Sequence, residues 1–236
     1  MEPVVLFEDN HCLALAKPAP LLTQGVPAGP LSLETWAKDY LRAKYGKPGN
    51  VYLGVPHRLD RPVSGVVLFA RNSKAAARLA EQFQLRQVVK IYWAIVDGVL
   101  ESVEGVWQDH LRKRPEEARV EVVPADSPAA RLAESTFRGL SLVTGGTLLE
   151  LRPTTGRTHQ LRVQASSRGC PIRGDDLYGS VTPFGRPADL PRDRVIALHA
   201  RSLTFLHPIR YKPVTVTAPL PAYWPVSLPS PDGLAN

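Results

Sequence analysis

The sequence predicts an α+β fold with a mixed, largely antiparallel central sheet flanked by helices and loops. Three observations lead there. Strand-like runs outnumber helical ones, and the two kinds do not alternate in the regular βα order of a doubly wound sheet. The 23 prolines and 17 glycines are scattered as punctuation, with no internal repeat and no low-complexity tract. The 236 residues suit one large domain with its own core.

The elements follow in order. Val4–Phe7 and Cys12–Ala16 read as a hairpin turned at Glu8-Asp9-Asn10-His11. Ser32–Tyr45 reads as a helix that starts near Ser32 and stops at Gly46. Val66–Ala70 is a continuous apolar run fit for a buried strand. Asn72-Ser73 then caps a helix whose Ala76, Leu79, Ala80 and Phe83 recur at helical spacing. In Lys90–Val96, Ile91, Trp93 and Ile95 alternate with Tyr92, Ala94 and Val96, the period of a strand. Further strands are predicted at Arg119–Val123, Ser135–Arg138, Gly146–Arg152, Ala197–Leu206 and Val214–Thr217. Thr158–Arg168 reads as a helix entered through Thr154-Thr155-Gly156, while Gly25–Leu31, Asp109–Ala118 and Thr182–Arg192 read as loops. Residues 1–226 are expected to form a single domain and residues 227–236 a tail.

Composition narrows the function classes. No apolar run approaches the ~20 residues of a membrane-crossing helix, and the N-terminus lacks the pattern of a signal peptide, so the cytoplasm is the expected compartment. Cys12 and Cys170 form no CxxC pair, and the six histidines show no ligand spacing, so no metal and no disulfide framework are expected. The net charge of +7 and pI near 9.6 point to a polyanionic partner. Two stretches concentrate that charge: Arg58–Lys90 and Arg152–Gly174 each carry a net +5. Charge alone fits a solvated face equally well.

Three segments have chemical potential. His57-Arg58-Leu59-Asp60-Arg61-Pro62-Val63-Ser64-Gly65 places a carboxylate between two arginines just before a buried strand. Flanking cations lower a carboxyl pKa and keep it ionised as a nucleophile or base; a surface turn with a rim ion pair fits the same residues. Tyr92 faces away from Ile91 and Trp93, where it could stack on a base or relay a proton, or lie half-buried. Gly156-Arg157-Thr158-His159-Gln160-Leu161-Arg162-Val163 opens a helix through a glycine turn, an arrangement suited to phosphate.

Taken together and in order, these three segments resemble the signature motifs of the RluA-type RNA pseudouridine synthases. Lys17-Pro18, Gly174-Asp175 with Tyr178-Gly179, Leu198-His199-Ala200 and His207-Pro208 look like the same family, and the resemblance runs from about Val4 to Pro221. It implies a pseudouridine synthase fold and an isomerase that converts uridine to pseudouridine in structured rRNA or tRNA. It implies no cofactor, and a monomer is expected; because the sequence starts almost directly at the first hairpin, the S4-like N-terminal domain that many relatives carry is not expected. By the family pattern Asp60 is the essential carboxylate, acting at C1′ or C6 or through a glycal. Tyr92 packs on the flipped uracil, and Arg162 pairs bidentately with Asp60. Arg58, His57, Arg157, His159, Gln160 and Lys17 are the residues expected to meet RNA. Two departures stand out: Val63 where the first motif usually has Thr, and Gln164 where the third often has His. They leave room for an RNA-binding or RNA-folding protein that kept the fold without turnover. A glycosidic hydrolase using Asp60 and His57 is a further alternative.

Overall fold

The computed structural model describes residues 2–25 and 31–225. The expected tail at 227–236 and most of the Gly25–Leu31 loop therefore lie outside the described residues. Ten strands form one sheet: β1 (Val4–Glu8), β2 (Cys12–Lys17), β3 (Ser64–Ala70), β4 (Val89–Asp97), β5 (Glu104–Lys113), β6 (Val120–Val123), β7 (Arg131–Val143), β8 (Gly146–Pro153), β9 (Leu198–Leu206) and β10 (Pro213–Thr217). The order is β1-β2-β3-β9-β4-β8-β7-β5-β6, with β10 also paired to β9. Among the strands of the described residues, only β3 and β9 run parallel, at Ser64–His199 and Gly65–Ala200. The sheet is mixed and largely antiparallel, as expected.

Helix α1 (Leu33–Tyr45) begins where Ser32 Oγ accepts the Thr35 N–H and ends at Gly46 in the left-handed region. Helix α2 (Ser73–Gln84) is capped by Asn72, whose side chain accepts the Ala75 N–H. The two helices cover opposite faces of β2 and β3. Leu33, Ala37 and Leu41 pack with Leu13, Leu15, Val67 and Phe69; Ala75 and Leu79 pack with Cys12, Ala14, Val66 and Leu68. Burial on both faces is why β3 reads as an unbroken apolar run. On α2 the stripe includes Gln82 rather than Ala80, which is exposed. Gln82 is buried because its amide exchanges hydrogen bonds with the Leu206 backbone at 2.9 Å in each direction.

Three expectations change. The Asp109–Ala118 loop is in part strand β5, whose inward apolar residues are only Trp107 and Leu111. Ser135–Arg138 is the middle of the 13-residue β7, which pairs β5 on one side and β8 on the other. The predicted Thr158–Arg168 helix is the shorter α3 (Gln160–Ser166), because His159 at φ 52° cannot continue a right-handed helix.

The central order β3-β9-β4-β8 brings the three motif segments together. The first precedes β3, Tyr92 lies on β4, and the third follows β8 into α3. Gly65 is needed where β3 meets β9: at φ 120° it faces Ala200, whose backbone a Cβ would strike. Ser64 and His199 join at the same point, with Oγ 2.8 Å from Nδ1, while His199 Nε2 reaches the Ala218 carbonyl at 3.4 Å. Nε2–H therefore donates to the carbonyl and Nδ1 accepts from the hydroxyl, the pattern of a neutral ring.

Candidate active site

Asp60 sits in the loop before β3, with its side chain 32% exposed. The loop is held from below. Thr23 Oγ1 donates to the Leu59 carbonyl (2.8 Å) and accepts the Leu59 N–H (3.0 Å). Lys17, fully buried on β2, donates to the carbonyls of Leu21 (2.6 Å), Arg61 (3.2 Å) and Pro18 (3.3 Å). Burial lowers its pKa to about 7, with the nearby Asp60 charge opposing. Lys17 was expected to meet RNA; instead its three protons are used inside the protein. Val63 is buried in the core, and its N–H closes the turn onto the Asp60 carbonyl at 3.1 Å. A threonine hydroxyl is not required for that turn.

The positive charge on Asp60 does not come from its sequence neighbours. Arg61 turns to Asp193 (2.9 Å) and Arg58 is exposed. It comes from Arg162 on α3, whose Nη1 lies 3.2 Å from Asp60 Oδ2. The expected bidentate pairing is corrected: the guanidinium fork grips Asp175, with Nε–Oδ2 at 2.6 Å and Nη2–Oδ1 at 2.8 Å. Asp60 takes the remaining edge. Asp175 is 1% exposed and Arg162 5%, so the pair is a buried anchor and Asp60 is its solvent-reaching end. The Tyr178 ring lies 5.0 Å from the guanidinium carbon and closes one face.

His159 is also beside Asp60 rather than on an RNA-facing rim. Val120 N–H donates to Tyr178 Oη (2.9 Å), which frees the hydroxyl proton for His159 Nδ1 (2.8 Å). Nε2–H then faces Asp60 Oδ2 at 3.6 Å. Burial lowers the pKa of His159, against the pull of Asp60.

Tyr92 on β4 is half-buried. Burial, and secondarily the Asp60 charge, raise its hydroxyl pKa well above the usual range, so it is a protonated, apolar-faced group.

The other expected RNA contacts divide. Gln160 is buried, donating to the Glu134 carbonyl and Ser135 Oγ at 2.9 Å each. Its Oε1 accepts the Arg157 N–H (3.0 Å), occupying the turn that was expected to hold phosphate. Arg157 is tied to the Leu132 carbonyl (3.0 Å). His57 stacks on Phe83 with centroids 4.7 Å apart, and its Nε2 accepts the Leu68 N–H (2.9 Å). It caps the part of β3 that β9 leaves unpaired. Gln164, the second departure, is fully buried: it accepts from Ser135 Oγ (2.8 Å) and donates to the Trp107 carbonyl (3.0 Å) and Asp109 (2.9 Å). It pins α3 to β5 and β7.

The basic segment at 152–174 is largely neutralised by acids that lie outside it, one adjacent and two remote in sequence. Arg152 meets Glu150 (2.8 Å), Arg168 meets Asp109 (2.9 Å) and Arg173 meets Asp97 (3.2 Å). Asp9, Cys12 and His207 bring three donor atoms within 4.8 Å, a cluster that spacing did not reveal. Its groups are already engaged: Asp9 accepts from the His11 and Cys12 N–H groups and His207, and His207 Nδ1 accepts from Ile209 and Arg210. It braces the β1–β2 turn.

Burial lowers the pKa of His57 to about 3 and of His199 to about 4, from 6.5. Folding thus excludes protons that the unfolded chain binds below pH 6.5. Stability is expected to fall as pH drops from 6.5 towards 4, by up to about 1.4 kcal/mol per pH unit for each ring. Urea midpoints measured between pH 7.5 and 4.5 test this; a flat profile contradicts it.

The sheet is that of the pseudouridine synthases, which are isomerases. A family model described as RNA pseudouridylate synthase matches residues 11–167, and the chain belongs to that family. The RluA-type resemblance of its motifs is upheld by the relatives. It is 39% identical to an uncharacterized RNA pseudouridine synthase of Zymomonas mobilis over 92% of this chain and 93% of that protein. It is 34% identical to ribosomal large subunit pseudouridine synthase C of Vibrio cholerae, over 94% of this chain. It is 36% identical to synthase D of Xanthomonas campestris, over 92% of this chain. The chain spans 67% and 66% of those two proteins. Among solved structures, human RNA pseudouridylate synthase domain containing 4 superposes with a TM-score of 0.75 at 27% identity, over 93% of this chain and 89% of that one.

Proposed function

We propose that residues 1–226 form one catalytic domain that isomerises uridine in ribosomal RNA, with Asp60 as the reacting carboxylate. The observation that carries this is the Asp60–Arg162–Asp175 array, in which one oxygen-bearing group reaches solvent and its cation is fixed from behind. The reaction breaks the N1–C1′ bond, turns the uracil and forms C5–C1′; N1 gains a proton and C5 loses one. A nucleophile or base is needed at the sugar or at C6, and Asp60 supplies either. Preorganised charge is most effective where it does not have to move during reaction, which the buried Asp175 ensures for Arg162. Tyr92 supplies an apolar ring for the uracil, and exposed Arg58 a charge for the displaced strand. A flipped nucleotide is the form in which a stacked uridine reaches such a site.

Ribosomal RNA is favoured over tRNA because two of the relatives are named for the ribosomal large subunit. The cytoplasm is the compartment that goes with that substrate. No helix among the described residues is long and apolar enough to cross a membrane.

Mapping pseudouridines in total RNA with and without the protein tests the reading. One or a few sites in ribosomal RNA are expected to disappear when it is absent. An unchanged map, with no site restored on adding the protein back, overturns the proposal.

A further inference from the structure

The 58–90 segment keeps its charge where the 152–174 segment loses it. Of its cations, Arg61 and Arg71 are paired with Asp193 and Glu8. Arg58, Arg86 and Lys90 have no carboxylate within 4.0 Å among the described residues. Lys90 is the one that cannot be dismissed as a solvated surface charge. It is part-buried on β4, on the same face as Tyr92 two residues on. Its Nζ donates to the Thr155 carbonyl at 3.0 Å, immediately before the Gly156–Val163 segment. That uses one of three protons.

The space beside it is open. A Cβ at Gly156 would meet nothing within 4 Å except Lys90 Nζ, at 3.8 Å. Glycine therefore leaves a notch with one ammonium as its lining, between the strand that carries Tyr92 and the loop that leads to Arg162. Burial lowers the Lys90 pKa to about 8, with the Arg86 charge adding to the effect. A part-buried cation with no carboxylate in reach is favoured by an anion that supplies the opposite charge.

We infer that Lys90 and the Gly156 notch bind a phosphodiester of the RNA next to the uridine that lies against Tyr92. The inference rests on the proposed function and adds to it a fixed backbone contact. Such a contact sets the register of the strand and carries no sequence information.

Lys90→Gln keeps a donor for the Thr155 carbonyl and removes the charge. With a stem–loop RNA carrying one loop uridine, the slope of log affinity against log salt is expected to fall by about 0.7 to 0.9. Lys90→Arg should retain the slope. Single methylphosphonate replacements in that RNA separate contact from architecture. One position should weaken binding to the unmutated protein about tenfold and leave Lys90→Gln indifferent. A merely structural lysine would weaken all RNAs alike. If the unmutated protein has no sensitive position, or if Lys90→Gln keeps both slope and sensitivity, the inference is overturned; the first of these results needs no variant to fold. Binding requires no turnover. Absence of pseudouridine with the unmutated protein would refute the proposed function alone, and intact turnover with an unchanged Lys90→Gln slope would refute the contact alone.

Discussion

Asp60→Ala is expected to abolish pseudouridine formation, with a fall of at least about 10⁴-fold in turnover, while RNA binding and the fold persist. The reasoning separates the two roles of the array. Asp60 is one-third exposed and takes only one edge of Arg162. Its loss therefore leaves Arg162 bound twice to Asp175. The stability cost of removing a part-exposed ion-pair partner is of the order of 1 kcal/mol or less. Chemistry is another matter, because Arg162 holds no other carboxylate that reaches solvent. Pseudouridine should be measured by site mapping and RNA affinity by filter binding. Normal turnover in the variant would remove Asp60 from the reaction. Release of free uracil by the unmutated protein would instead favour the hydrolytic reading. Binding with no pseudouridine from either protein would favour an RNA-folding factor.

Asp175→Ala is expected to be worse for the fold than for any single contact. It leaves a guanidinium 5% exposed with one partial partner. Removing one member of a buried pair typically costs about 3–5 kcal/mol, because the remaining charge stays desolvated. A large drop in the urea midpoint is the expected reading; a drop equivalent to less than about 1 kcal/mol would mean that Arg162 relaxes to water. Arg162→Lys tests the same anchor from the other side. A point charge cannot grip Asp175 with two parallel bonds and still present an edge to Asp60. Losing one charge-assisted bond of roughly 1.5–3 kcal/mol corresponds to about 10- to 100-fold in turnover. Near-normal turnover would show that Arg162 does not position Asp60.

The parts of this architecture that are local in sequence were readable from it. The first hairpin, α1 with its Ser32 cap and Gly46 stop, α2 with its Asn72 cap, and the doubly buried β3 all carry their signals within a few residues. Strand β5 did not, because its inward apolar residues, Trp107 and Leu111, are separated by the polar Asp109 and are too sparse to mark a strand. The start of α3 was misplaced because nothing local announces that His159 adopts a left-handed conformation.

The candidate site divides along the same line. Asp60, Tyr92 and Arg162 could be singled out because each lies in a distinctive short segment. The roles of Lys17, His57, Gln160 and Gln164 could not, since a polar residue in such a segment is equally suited to a ligand or to a backbone carbonyl. Burial decides between these, and burial is set by strands tens of residues away. Asp175 was visible as a residue and invisible as a partner: thirteen positions separate it from the arginine it anchors. What the sequence determined by itself was the fold class, the family and the short segments that hold the candidate residues. Only the tertiary structure decided which charges cancel. An ion pair forms wherever two side chains meet, and the antiparallel ladders of this sheet bring together residues that no linear spacing relates.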